Sequence, residues 1–497
     1  MSKGPGAALR GPAPPSPGAT TAILAGGRVE SPFFGRERRG LPDKAMKTVS
    51  LHRRWRGWRG TRVWLRSPAR AAALLRSGLD GAGAGEAGLL AWLVLMYERD
   101  EPEAERLARA ALERSGDQRY AIATLATLML RRGDHDAAIE LLEQTRERYP
   151  EIVWYDLTLA DALVEAGRVA EAERLLEQSA RKPSLRRHAL KRLSGLALER
   201  GDRESARKLF EQLVALAPDH LVYASDYVTV GRLQLEAGDR ETARRTWHEG
   251  AEYYPRNSDL RELLSEHFDE HPTSEPRIKP VSEEAVGAQR IPVRTPFISP
   301  RTGVAEVIDA ATATRRQPGD VLAVAESAVA AGQGRILPLE LVEAGPLARF
   351  LSGFVGSAGP LHSPEGMQGA IMEAGRPRVV LGTAAAAVGR LLGRRGWFYR
   401  VAGPATAMID DVAACTPPHD HHVIFGPGSP GVAEGLAAGI GWPVAIVDAN
   451  HQTGAWVVDA SAGVDRDWLA RALADNPAGN EDEQTPVVLV RPLNPGG

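Results

Sequence analysis

The sequence LATLMLRRGDHDAAIELLEQTRERYP, residues 125–150, contains the landmarks that recur through the first half of the chain. Its glycine, Gly133, is followed by further glycines at steps of 34 residues, at Gly167 and Gly201. An alanine stands five residues after each of these glycines, and a small residue stands seven residues before it. A fixed period of this length is typical of stacked helical pairs. The sequence therefore predicts helical repeats with glycine in the turn between the two helices of each pair.

The pattern continues on both sides with small changes. Earlier and later copies turn at Arg99 and Gly238, and small residues at facing positions let the paired helices approach closely. The step from Gly201 to Gly238 is three residues longer than the others, which predicts an insertion near His220–Asp226. A proline ends the second helix of most repeats because it lacks the amide proton. The recurring alanines are Ala104, Ala138, Ala172, Ala206 and Ala243, and the prolines are Pro150, Pro183, Pro218 and Pro255.

These spacings resemble the tetratricopeptide repeat (TPR) over roughly residues 83–270. The resemblance implies a curved solenoid whose concave groove binds an extended protein or peptide partner. The same array could instead dimerise the protein or brace another domain. The sequence leaves these roles open.

Composition sets the frame for the rest of the chain. Its 497 residues leave room for two or three domains. The single cysteine, Cys415, excludes a disulfide framework and indicates a reducing compartment, so we expect a cytoplasmic protein. No apolar stretch reaches the length of about 18 residues that a membrane-spanning helix needs, and no signal peptide is recognisable at the start.

The first 70 residues carry fifteen Lys and Arg residues against three acids. Residues 1–45 are poor in large apolar side chains, which predicts a disordered arm, and translation could begin at Met1 or at Met46. Residues 46–82 form a basic Arg/Trp-rich segment that could bind phosphates and bases or an anionic membrane surface. The run is short, which favours a solvated arm whose tryptophans pack on the rest of the protein. Neither nucleic acid nor a membrane is therefore expected as a partner.

The character of the chain changes after the repeats. Prolines and polar residues in 271–289 predict a linker, and residues 290–497 alternate β-branched and alanine-rich stretches. We therefore predict a multidomain chain, an all-α TPR solenoid followed by an α/β (α+β) domain, with a disordered basic N-terminal arm. Predicted strands are Val321–Ala325, Arg378–Leu381, Val423–Phe425, Pro443–Val447, Trp456–Val458 and Val487–Val490, and predicted helices are Gly303–Thr314, Met367–Ala374, Ala384–Leu392, Val432–Gly439 and Trp468–Ala474.

Short segments of this second domain carry another resemblance. In chain order they are RIPVRT (290–295), GDVLAVAE (319–326), GR (334–335), AMID (407–410), VIFGPGSP (423–430) and VAIVD (444–448). Their order and spacing resemble the γ-glutamyl ligases that add glutamate to the deazaflavin coenzyme F-420, over roughly residues 290–460. That resemblance implies GTP-dependent activation of a small acidic molecule with Mg²⁺ or Mn²⁺. It implies Asp410 and Asp448 as metal ligands, with Asp411 beside the first, because hard cations need oxygen ligands.

The chain departs from those ligases at basic positions. Their Lys- and Ser-rich segment before Gly-Arg is replaced here by a stretch with Ser327, Ala330, Ala331 and Gln333, and the Gly-Arg-Pro-Trp-Arg after the aspartate is replaced by residues 449–453. Lost basic residues mean lost phosphate contacts. We therefore predict a protein-interaction scaffold with a ligase-like domain whose catalysis is weakened or lost. An active metal- and nucleotide-dependent γ-glutamyl ligase is the alternative, and dimerisation through this domain is left open.

Two local patterns could bind a phosphate or another part of a substrate. Residues 426–431 lie between a predicted strand and a helix, where free amide groups favour an anion, so Gly426, Gly428 and Ser429 are candidates. Arg394 and Arg395 stand in GRRGWFYR and could hold a phosphate or a flat ring. A tight turn and an amphipathic strand entry are the structural alternatives.

Other potential ligands and nucleophiles give weaker patterns. The adjacent residues 419–422, HDHH, would alternate sides of a strand, so one metal site cannot easily use them all, and a loop or strand-entry cluster is favoured. Cys415 has no neighbouring base that would activate it, and no catalytic residue is assigned.

The arm should be dispensable for folding, because it contains too little apolar surface to pack. We expect deletion of residues 1–45 to leave the melting temperature nearly unchanged, as measured by scanning calorimetry. A fall of several degrees would contradict this prediction, because it would mean that the arm packs on the fold.

Overall fold

The computed structural model describes residues 68–493, apart from residues 116, 218–221, 273–279, 356–359, 395, 410–421, 429–430, 451–453 and 480–482. The predicted disordered arm, residues 1–45, lies outside the described residues, as does most of the Arg/Trp-rich segment.

The first half of the described chain is helical. The helices are α1 Pro68–Arg76, α2 Ala84–Leu93, α3 Glu101–Leu112, α4 Arg119–Arg132, α5 His135–Arg148, α6 Tyr155–Glu165, α7 Val169–Ser179, α8 Arg186–Glu199, α9 Arg203–Val214, α10 Ala224–Glu236, α11 Arg240–Tyr253 and α12 Ser258–Phe268. From α2 to α11 they pack as successive pairs, and each pair packs against the next. This arrangement is a helical solenoid.

The turn glycines lie where the 34-residue period predicts them. Gly133, Gly167, Gly201 and Gly238 separate the two helices of a pair and have φ between 75° and 84°. Arg99 takes the same role in the first pair at φ 59°, which costs a non-glycine residue some strain. The turn prediction is therefore confirmed.

The acid after several of these turns caps the second helix. The side chains of Asp100, Asp202 and Asp239 accept hydrogen bonds from the backbone N–H three residues later, at 2.9–3.1 Å. Hydrogen bonding to Ser205 and Thr242, respectively, lowers the pKa of Asp202 and Asp239. The turn residue thus ends the first helix of the pair, and the aspartate after it caps the start of the second.

Close helix crossing depends on the small residues. The recurring alanines, from Ala104 to Ala243, are completely buried. In the last pair, Gly231 on α10 lies against the buried indole of Trp247 on α11, and a Cβ at residue 231 would come within 2.0 Å of the indole nitrogen. No larger side chain fits there without moving a helix.

The second half of the described chain is an α/β unit. Its elements are α13 Glu283–Val286, β1 Ala288–Val293, α14 Val304–Thr312, β2 Val321–Ala325, α15 Glu326–Gly332, β3 Ile336–Pro338, α16 Pro346–Ser352, α17 Pro364–Ala374, α18 Arg376–Leu391, α19 Trp397–Ala402, β4 His422–Ile424, α20 Val432–Ile440, β5 Val444–Asn450, β6 Gly454–Ala460, α21 Arg466–Ala472 and β7 Val487–Pro492. The first of them, α13, lies inside the stretch that we predicted as a linker.

Five strands form the main sheet in the order β1–β7–β2–β5–β6, and β3 pairs with β4 in a separate ribbon. Only β2 and β5 are parallel among the described strand pairs. Side chains alternate between the faces, so Leu322 and Val324 pack under α14, α15 and α20, while Val321 and Ala323 pack against α21. The sheet is therefore covered on both faces.

One predicted strand is wrong. Arg378–Leu381 lies in helix α18, which begins after Gly375 with Pro377 in its first turn. A short run of valine and leucine has no distinctive period, and the alanines that follow extend the helix. The other predicted strands and helices coincide with or overlap elements of the matching type. Among the described residues, no helix combines the length and the apolar character that crossing a membrane requires.

The Gly231 contact predicts a marked response to a single methyl group. We expect Gly231→Ala to destabilise the protein by about 2 kcal/mol or more, because its Cβ would overlap the Trp247 ring. Thermal unfolding followed by circular dichroism measures the change.

Gly195→Ala on α8 is the matched control, because a Cβ there meets no atom within 4 Å. The better helix propensity of alanine should leave this variant as stable as the wild type or more stable. Equal losses in both variants would contradict the close-packing argument.

Candidate functional site

The inner face of the solenoid is the first candidate site, and a segment of the second domain lies on it. We call residues Ile336–Glu343 the groove segment. It consists of β3, a 3₁₀ turn at Leu339–Leu341 and two further residues. The turn packs against α4, the first helix of its pair. First helices of successive pairs line the inner face of such an array.

The groove segment buries a row of leucines. Leu337, Leu339 and Leu341 are 1%, 1% and 4% exposed. They belong to one continuous hydrophobic core with side chains of α2, α4 and α6, including Leu93 and Leu125. The core of the early repeats therefore continues into the α/β unit.

Polar contacts align the segment with the helices. The guanidinium of Arg119 pairs with Glu343 at 2.9 Å, and the Thr158 hydroxyl donates to the Glu340 carboxylate at 3.3 Å. The Tyr97 hydroxyl donates to the carbonyl of Gly334, whose φ is 68°. A Cβ at residue 334 would lie 2.9 Å from the tyrosine ring, so the close approach requires glycine.

Burial changes the acidity of groups around this interface. Burial raises the pKa of the Tyr155 hydroxyl far above its usual value, and the nearby Glu340 carboxylate raises it further. Burial lowers the pKa of Arg131 to about 10, and the charge of Arg301 contributes to that shift, although Arg131 pairs with Glu101 at 2.9 Å. Arg131 still remains charged at neutral pH.

A second set of contacts joins the end of the solenoid to the α/β unit. The buried carboxylate of Asp475 pairs with Arg290 at 2.5 Å and accepts from the backbone N–H of Val281 at 2.9 Å. Arg256, in the turn before α12, lies 3.7 Å from the same carboxylate. The α/β unit thus contacts both the first and the last repeats, as the bracing alternative requires.

The predicted metal ligands are only partly described. Asp448 lies on β5, and its carboxylate accepts from the indole nitrogen of Trp456 on β6 at 2.7 Å. Asp410 and Asp411 lie outside the described residues, as does Cys415. Within the residues that the structure describes, no three His, Cys, Asp or Glu side chains are grouped so as to hold a metal ion. The metal-site prediction therefore stays a prediction.

The predicted phosphate-binding residues fall in two places. Gly426 accepts a hydrogen bond from the buried guanidinium of Arg335, and the N–H of Gly428 donates to the Gln333 side chain at 2.9 Å. Arg394 is exposed in the turn between α18 and α19. Ser429 and Arg395 lie outside the described part of the chain. Phosphate binding at these positions also stays a prediction.

Sequence reasoning missed two side-chain contacts near this loop, those of Asp459 and of Arg335. Asp459 on β6 accepts from the N–H groups of Gly431 and Ala433 at 2.9 and 3.0 Å, so a carboxylate of the protein occupies the start of α20. Arg335 pairs with Glu373 at 2.9 Å, 38 residues away in sequence. Neither partner is signalled by spacing, because both contacts depend on how separate elements pack.

Comparison with known proteins supports the repeats. Two family models described as tetratricopeptide repeat match, one over residues 133–193 and the other over residues 106–151 and 192–220. The matches and the repeating geometry together show that the chain contains TPR repeats. Repeats of this kind support a role in binding a protein partner.

Other comparisons add little. No curated protein matches the chain. Two solved structures show a likeness, the Pseudomonas aeruginosa protein PilF at 18% identity and PilW, described as a type IV pilus biogenesis factor, at 16%. They cover 45% and 42% of this chain, and 98% and 96% of their own, each with a TM-score of 0.33. A likeness at that score carries no argument about function.

Proposed function

We propose that the protein is an interaction scaffold whose TPR inner face binds extended segments rich in leucine and acidic residues. The observation that carries the proposal is the groove segment, which lies on the early repeats. It defines the chemistry that this face accepts. A partner protein with a segment of the same kind docks on the same helices when the groove segment is released.

The recognition chemistry follows from the contacts. Leu337, Leu339 and Leu341, at every second position, are buried in the hydrophobic core that the segment shares with the early repeats, and burying each contributes about 2 kcal/mol. Glu340 and Glu343 supply the charges that Thr158 and Arg119 meet. Such a surface selects for alternate leucines followed by an acid, because an apolar segment without the acid leaves Arg119 without that partner.

Release of the groove segment requires loss of its leucine contacts and of the three residue pairs between β3 and β4. The Glu343 side chain is 78% exposed, so its pairing with Arg119 is screened by water. A competing segment therefore has to replace mainly the leucine contacts.

The cytoplasm is the proposed compartment, on the ground of a single cysteine.

A metal- and nucleotide-dependent ligase is the second candidate function. The observation that favours it is that the segments of that resemblance lie together: β2 runs parallel to β5, with Ala325 opposite Val447, and Arg335 contacts the loop at Gly426. Ligands of open α/β sheets bind outside the carboxyl ends of such strands. On this proposal Asp448, with Asp410 and Asp411, holds Mg²⁺ or Mn²⁺ beside the bound nucleotide. The missing basic residues support the scaffold as the main function.

The scaffold proposal is tested with a labelled peptide of residues 334–345. Leu339→Asp with Leu341→Asp in the full chain releases the groove segment, because two carboxylates cannot stay in the core. We expect this double variant to bind the peptide at least tenfold more tightly than the wild type does, measured by fluorescence anisotropy. Circular dichroism checks that the variant keeps its helices, and Leu339→Ala replaces it if it does not.

Two controls test where the peptide binds. Arg119→Gln, added to the double variant, should weaken binding severalfold, whereas Lys208→Glu on the exposed face of α9 should not change it. No binding to the released variant, or equal binding with and without Arg119, would overturn the scaffold proposal.

The ligase candidate is tested by isothermal titration with Mg²⁺ and Mn²⁺. We expect the wild type to bind a divalent cation and Asp448→Asn to bind it at least tenfold more weakly, because one oxygen ligand charge is lost. Asp465→Asn is the control, since that residue caps α21. Absence of binding in the wild type, or identical binding in Asp448→Asn, would remove the metal site.

A further inference from the structure

Helix α18 exposes an apolar face. Leu381, Val388 and Leu391 are 61%, 48% and 87% exposed. Exposed apolar residues recur along the helix at intervals of one, three or four residues, which places them on one side of it. The stripe consists of Val380, Leu381, Ala384, Ala387, Val388 and Leu391.

The opposite side of α18 is already packed. A Cβ at Gly382 would lie 3.1 Å from Ala402, and one at Gly389 would lie 3.1 Å from the Trp397 ring, both on α19. Val379 is completely buried on that side. The helix therefore has two apolar sides, and α19 covers only one.

Two phenylalanines extend the exposed surface. Phe350 and Phe354 are 65% and 56% exposed and pack edge to face at 5.0 Å. The Arg390 guanidinium of α18 donates to the Phe354 carbonyl at 3.4 Å, so the pair adjoins the end of the stripe. We call the stripe, these two residues and Leu392 the apolar face.

The helix that carries the stripe and the residues directly after it are basic. From Gly375 to Ile409 the sequence contains six arginines and no aspartate or glutamate. The structure describes five of these arginines, and all five are exposed: Arg376, Arg378, Arg390, Arg394 and Arg400. An apolar helix face flanked by arginines is typical of helices that lie in the interface of an anionic bilayer.

We propose that the apolar face binds an anionic phospholipid surface, with α18 lying in the membrane plane. The leucines and phenylalanines enter the boundary between headgroups and acyl chains, and the arginines contact lipid phosphates. Binding of this kind needs no membrane-spanning helix. It goes beyond the scaffold function and departs from the sequence expectation of no membrane partner.

The charge distribution favours lipid over a second copy of the chain. A symmetric dimer places the same patch on both sides of the interface. Such a dimer would bring the basic helix α18 of both copies to one interface, where like charges repel. An anionic lipid surface is complementary to the same arginines.

Vesicle flotation of the full chain tests the proposal. We expect the wild type to float with phosphatidylcholine vesicles containing about 30% phosphatidylserine and to stay behind with pure phosphatidylcholine. Leu391→Glu should lower the bound fraction at least tenfold, because it places a carboxylate on the apolar face. Raising NaCl to about 0.5 M should weaken binding of the wild type.

Leu493→Glu is the matched control, because Leu493 is an exposed leucine directly after β7. This variant should bind vesicles as well as the wild type does. The basic segment at residues 46–82 is intact in every variant. If Leu391→Glu binds vesicles as well as the wild type does, another part of the chain such as this segment is responsible, and the proposal is overturned. No binding by the wild type, or equal binding to neutral vesicles, would overturn it as well. Light scattering that shows a dimer broken by Leu391→Glu would mean that a second copy covers the face.

Discussion

The continuous hydrophobic core between the early repeats and the α/β unit is the contact on which the described architecture depends. Leu337, Leu339 and Leu341 belong to one hydrophobic core that also contains side chains of α2, α4 and α6. A repeat array buries its apolar faces against neighbouring repeats and offers its concave side as a binding surface. Here a segment of the same chain covers part of the side formed by the first helices.

Polar contacts join the solenoid and the α/β unit at two separate points. Arg119 and Thr158 meet the acids of the groove segment, and the buried Asp475 gathers Arg290 and Arg256 at the far end of the solenoid. A buried carboxylate left without these cations would cost free energy. Asp475 therefore favours the arrangement in which Arg256 of the solenoid lies beside the α/β unit. On the scaffold proposal, bracing and partner binding are alternatives for one surface, and a partner exchanges with the groove segment.

Helix α18 shows the opposite situation, an apolar surface without a cover among the described residues. Its inner side packs on α19 through Gly382 and Gly389, while Leu381 and Leu391 face solvent. The arginines on and after this helix are the basis for proposing an anionic lipid surface as its partner. Val379 on the inner side of α18 belongs to the same hydrophobic core as the leucines of the groove segment, so the helix is anchored while its other side stays exposed.

The sequence by itself determined the solenoid, because the 34-residue period reflects local constraints. A positive φ at Gly133 or Gly167, the aspartate cap at Asp202 and the buried alanines each depend on residues close in the chain. It also located most strands of the second half. It failed at Arg378–Leu381, where a short valine run fits either secondary structure.

Only the tertiary structure decided that the inner face is filled by the groove segment, that Asp459 caps α20 and that Arg335 meets Glu373. These contacts join residues 26 to more than 200 positions apart, and no periodicity in a single sequence encodes which distant surfaces pack together.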